Sequence, residues 1–142
     1  MGTITKTLIT VRATVNASVE SVWKHWTSPE SVTQWNHASD DWHSPKASND
    51  LRKGGKFSYR MEARDGSMGF DFEGIYDKVI VNKQIDYTMP DGRKVKTTFH
   101  PEDEKTEIVE TFEAENTYTL EQQRDGWQSI MNNFKKFTEL HK

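Results

Sequence analysis

From Leu8 to Val15 apolar and polar residues alternate, with Ile9, Val11, Ala13 and Val15 on one parity and Thr10, Arg12 and Thr14 on the other. A period of two is that of a half-buried strand. The period then lengthens. Ser18 is a ready N-cap for a helix in which Val19, Val22, Trp23 and Trp26 keep helical spacing. Ser28 and Pro29 restart a second short helix, with proline at the first position, where no N–H is needed, and an end near Trp35. Asn36 to Asp50 is irregular and polar, and Gly54-Gly55 then breaks the chain at a bulge or tight corner. A meander follows: Lys56 to Ala63 with Phe57, Tyr59 and Met61 in phase, Phe70 to Val81 with Phe72, Gly74 and Tyr76, and Gln84 to Met89 with Ile85, Tyr87 and Met89. Two more strands are predicted, Arg93 to His100 with Val95, Thr97 and Phe99 in phase, and Lys105 to Glu113. Asp65-Gly66 and Asp91-Gly92 are hairpin turns, and Pro101 to Glu104 makes the last one.

A helix is predicted from about Thr119 to Leu140. Trp127, Ile130, Met131, Phe134 and Phe137 share one face of it, and Gln128, Ser129, Asn132, Asn133, Lys135 and Lys136 the other. The fold class is therefore α+β. A curved antiparallel sheet of about six to seven strands presents one apolar face, and the C-terminal helix is the element long enough to cover it. The two short helices fall between the first and second strands. Nothing along residues 1–142 marks a linker or repeat, so one domain is expected.

Composition narrows the partners. The chain is polar, with 29% charged residues and a mean hydropathy of −0.89, yet 11% of it is aromatic, including five Trp. Its core must use few, bulky side chains. A net charge of −3 gives no basic face for nucleic acid. The absence of cysteine removes disulfides and thiolate chemistry. No apolar run reaches the length of a membrane span, the N-terminus lacks a signal-peptide pattern, and Gly2 is a poor myristoylation match, so the cytoplasm is the expected location. No cofactor or metal is expected, and the chain is a monomer or a homodimer.

Val22-Trp23, Trp35, Leu51-Arg52-Lys53-Gly54-Gly55-Lys56-Phe57 and Gly126-Trp127 occur in an order that resembles the helix-grip, START-like superfamily (SRPBCC). The branch they are similar to is named after the activator of the heat-shock-protein-90 ATPase. The stretch WNHASDDWHSPKASNDLRKGGKF, continuing to GFDFEGIYDKV, resembles a bacterial polyketide-cyclase-like subgroup. The resemblance covers about Thr7 to Leu140 and implies a cavity between helix and sheet that holds a small apolar or aromatic ligand. Its walls would be Trp35, Phe57, Tyr59, Met61, Phe72, Tyr76, Tyr87, Phe99, Trp127, Met131 and Phe134. An ordinary packed core would use the same residues.

Three chemical features stand out. His37, Asp40 and His43 lie within seven residues, and they are candidates for proton transfer or for anchoring a ligand head group; their spacing matches no metal motif. Glu110 lies between Ile108 and Phe112, which makes it a ligand anchor or general base if that parity faces inward; if Val109 and Thr111 face inward, it lies in solvent. Lys53-Gly54-Gly55-Lys56 lacks the residues of a phosphate loop. Three function classes follow: a binder of a small apolar ligand, a cyclase-, dehydratase- or hydrolase-like enzyme using His37, Asp40, His43 or Glu110, and a cochaperone-like interaction module.

Overall fold

In the strands the alternation becomes burial. The computed structural model describes residues 6–142, so Gly2 lies outside the described residues. Strand β1 (Leu8–Val15) buries Ile9, Val11 and Val15 and exposes the residues between them, apart from the half-buried Ala13. Helix α1 (Val19–Thr27) is capped by Ser18, whose Oγ accepts the Ser21 N–H at 3.3 Å. Helix α2 (Pro29–Trp35) begins with proline as expected, but the Ser28 hydroxyl donates to Glu30 Oε2 at 2.7 Å and caps no backbone N–H.

After α2 come β2 (Trp42–His43), β3 (Ala47–Asn49), β4 (Lys56–Ala63), β5 (Gly69–Ile80), β6 (Gln84–Thr88), β7 (Lys94–Glu102), β8 (Lys105–Glu113) and α3 (Leu120–His141). Among the described residues the sheet has eight strands, ordered β1-β8-β7-β6-β5-β4-β2, with β3 also on β4, and every pair is antiparallel. This exceeds the expected six to seven, because β2 and β3 arise in the stretch that reads as irregular. They are two and three residues long, too short for alternation to show, and the register of β4 holds them, with Trp42 opposite Ala63 and Ala47 opposite Tyr59. The last hairpin is tighter than predicted. Strand β7 continues through Pro101, and the chain reverses at Asp103-Glu104, with Asp103 at φ 56°.

Helix α3 is anchored along its C-terminal half. Met131, Phe134 and Thr138 are fully buried. The Phe134 ring meets the stacked rings of Trp26 and Trp35 edge-on, each at 4.9 Å. Its polar face also works as glue. Gln128 Nε2 donates to Arg12 O at 2.9 Å and Gln128 Oε1 accepts the Arg12 N–H at 3.4 Å, so the side-chain amide pairs with edge strand β1 as a neighbouring strand would. Lys135 Nζ donates to Thr14 O at 2.9 Å, and Glu139 Oε2 accepts the Asn16 N–H at 2.8 Å.

Gly74 does not open space on the inner face of β5. The Phe57 ring from β4 lies over it, and a methyl group there would stand 2.8 Å from Phe57 Cε1 and 2.9 Å from Thr88 O. The pairing of β5 with β6 shifts register at a bulge between Tyr76 and Lys78. Gly74→Ala is expected to destabilise the fold by about 1–3 kcal/mol through overpacking. Urea denaturation checks this, and an unchanged midpoint would show that the Phe57 ring can move aside.

Candidate functional site

The register brings the Asp65-Gly66 and Asp91-Gly92 turns, the end of β8 and the start of α3 to one end of the sheet. There the N-terminal half of α3 stands away from the concave face. A cavity of about 610 Å³ lies between them, within the range of roughly 300–1,000 Å³ usual for small-molecule sites. The sheet contributes Phe57, Tyr59, Met61, Phe72, Tyr76 and Tyr87; Trp26 and Trp35 close one side, and Gly126, Trp127 and Ile130 of α3 form the roof. Trp127 is fixed by stacking on Phe112, with centroids 3.9 Å apart and planes at 13°, and it meets Phe72 edge-on at 5.9 Å.

The rim is polar: Arg93, Glu115, Tyr118 and Gln122 border it. Thr119 and Gln122 form a capping box, each side chain accepting the other's backbone N–H at 3.0 Å. One residue on, buried Gln123 fastens the segment leading into the helix. Its Nε2 donates to Tyr118 O at 2.9 Å and to Glu115 O at 3.2 Å, and its Oε1 accepts the Glu115 N–H at 2.9 Å.

Gly126 is the one point on this roof without a side chain. A methyl group built there meets nothing within 4 Å. Packing therefore does not require glycine, although glycine inside a helix costs about 1 kcal/mol relative to alanine.

Glu110 faces inward. It is 7% exposed, on the wall of the cavity, three residues or roughly 10 Å down β8 from Glu113 at the sheet end. Thr97 Oγ1 donates to Glu110 Oε2 at 2.9 Å. Burial pushes the carboxyl up to about 7, and the Thr97 hydroxyl offsets only part of this. Burial also raises Tyr59, Tyr76 and Tyr87, with the Glu110 charge adding to the effect at Tyr87, so all three are neutral phenols at ordinary pH.

Of the residues singled out in the sequence, Trp35, Phe57, Tyr59, Met61, Phe72, Tyr76, Tyr87, Glu110 and Trp127 border the cavity. Phe99, Met131 and Phe134 do not; they share the same faces but lie in the packed core. His37, Asp40 and His43 do not reach it either. Asn36 is the residue of that loop on the wall, and beyond it the chain runs out along β4. The His37 carbonyl accepts a hydrogen bond from Asn133 Nδ2 at 2.6 Å, Asp40 is exposed, and His43 Nε2 stands 3.8 Å from Glu62 Oε1. Burial, with Arg64 nearby, holds His37 below its ordinary pKa. Among the described residues no three His, Asp or Glu side chains converge on a metal position, and no helix is long and apolar enough to cross a membrane. Gln123, Gly126 and the rim were missed in the sequence. Their signal was a helical stripe that continues one turn before Trp127, with glutamine and glycine where apolar residues belong.

Residues 16–139 match the family described as Activator of Hsp90 ATPase homolog 1-like protein. The chain belongs to this family. The AHSA1-like protein from Aeromonas hydrophila superposes with a TM-score of 0.89 at 40% identity, over 95% of this chain and 94% of that one. A Cytophaga hutchinsonii protein superposes at 0.81 with 50% identity, over 94% and 92%. A Nitrosomonas europaea protein, only 18% identical, shares the fold at 0.80 over 94% and 95%. No curated protein matches the chain. The helix-grip architecture expected from the family resemblance is thus the architecture found.

Within this family frame two predictions follow from the cavity wall. Gly126→Ala is expected to raise stability by up to about 1 kcal/mol, read as a higher melting temperature, since no neighbour opposes the methyl. A fall would show that α3 needs glycine there for packing. For Glu110 the native state holds a proton between its unfolded value near 4.5 and about 7, so the stability it contributes at acid pH is lost as pH rises through that window. Glu110→Gln should therefore match the parent near pH 4 and exceed it above pH 7 by about 3 kcal/mol. A parent–variant difference independent of pH would show Glu110 to be ordinary.

Proposed function

We propose that the protein binds a small apolar or aromatic molecule in the cavity between α3 and the sheet. The observation that carries this is a cavity of about 610 Å³ walled by aromatic rings, with a helical glycine at its roof that packing does not require. Ring walls supply apolar contact in any orientation, while the few polar groups, Glu110 deep inside and Arg93 and Gln122 at the rim, can orient a ligand. A second reading, an enzyme, is favoured by one observation. A buried carboxyl pushed up to about 7 on a cavity wall is matched to general acid–base work near neutral pH.

The test is native mass spectrometry of protein purified from its own host, followed by denaturation and identification of what is released. A stoichiometric apolar compound is expected, and Gly126→Leu, which fills the roof, should lose it while remaining folded. A bare chain whose Trp127 fluorescence also fails to respond to a panel of aromatic and lipid compounds would sink the binding proposal. If the released compound is altered on incubation with the parent but persists with Glu110→Gln, the enzyme reading replaces it.

A further inference from the structure

Glu110 is satisfied on one side only. Among the described residues its side-chain hydrogen bond comes from Thr97, and no cation neutralises it. A carboxylate can accept about four hydrogen bonds, so its capacity toward the cavity is largely unused. Across the same cavity wall Tyr87 is 8% exposed, and among the described residues no hydrogen bond to another side chain accompanies its burial. The two groups are close enough for the charge of one to act on the other. Both are more than nine-tenths buried, and both border a space whose inner walls include the rings of Phe57, Phe72 and Trp127, with Arg93 at its rim.

An apolar pocket holding an uncompensated carboxylate is complementary to a cation or strong hydrogen-bond donor on an apolar body. A carboxylic acid with its head group at Glu110 would set two negative charges side by side in a buried site. The ring faces favour the same sign, because their quadrupoles attract ammonium groups. We propose that Glu110, assisted by the Tyr87 hydroxyl, anchors the amine of a small apolar amine, and that the site discriminates against apolar acids. This deepens the cavity-binding reading and rests on it.

The test compares three ligands of one shape, 2-phenylethylamine, 2-phenylethanol and 3-phenylpropionate, by calorimetry at pH 8 with the parent, Glu110→Gln and Gly126→Leu. The parent should bind the amine at least about ten-fold tighter than the acid, through a charge-assisted contact. Glu110→Gln should reduce that preference to less than about two-fold, and a melting temperature at or above the parent's at pH 8 shows that the variant is folded. Gly126→Leu should weaken all three. Equal binding of amine and acid by the parent, or a preference that survives in Glu110→Gln, overturns the anchor and leaves the cavity reading standing. Failure of the parent to bind any of the three at millimolar concentration overturns both.

Discussion

The seating of α3 is the constraint on which the rest of the structure depends. Its C-terminal half is driven into the sheet by Met131 and Phe134 and held by the Trp26–Trp35 pair. Its polar side is tied to the backbone of β1 through Gln128 and Lys135, and to Asn16 just beyond it through Glu139. A rigid rod fixed along half its length cannot follow a surface that curves away. The N-terminal half is therefore suspended across the concave sheet, and Gln123 and the Thr119–Gln122 box hold it there. The cavity is the geometric remainder of that arrangement, so its volume does not depend on an unusual wall.

Trp127 marks where packing stops. One face of its indole is taken by Phe112 and an edge by Phe72, which leaves the rest of the ring on the cavity. Beneath it lies a dense core, with Phe112, Ile108 and Phe134 wholly shielded. The low hydrophobic content of the chain is sufficient because these rings carry large areas each. Burying them offsets the cost of leaving a cavity beneath the other end of the helix.

The fold was legible because period and length agree in nearly every element. Strand parity in β1, β4, β6 and β7, and in β5 from Phe72 to Tyr76, the cap at Ser18, and the stripe from Trp127 to Phe137 all carried over into burial. What was illegible has physical reasons. Strands as short as β2 and β3 hold no period of their own. Parity identifies the face of a residue but not its depth, so Phe99, Met131 and Phe134 read like wall residues although they fill the core. The orientation of Glu110 was undetermined because Val109 and Thr111 also suit an inner face; its pairing with Thr97 across β7 decides it. The His37–His43 loop carries reactive side chains in close sequence, yet it ends in the two-residue strand β2 on the outer side of β4, and proximity in sequence brought none of those side chains to the cavity.

Two departures from consistent patterning remain in elements that otherwise obey it. One is a glycine inside a long helix, and the other is a carboxylate in the apolar row of a strand. Each costs stability, and neither is compensated by packing, since the glycine has open space before it and the carboxylate has, among the described residues, a single hydroxyl partner. Independent accidents would have no reason to fall at the same place. Both border the one large ring-lined space in the described structure, one enlarging it and the other giving it polarity. Natural sequences break local rules chiefly where function requires it, and the coincidence of these two exceptions at a single cavity is the physical case for reading that cavity as a binding site rather than a packing defect.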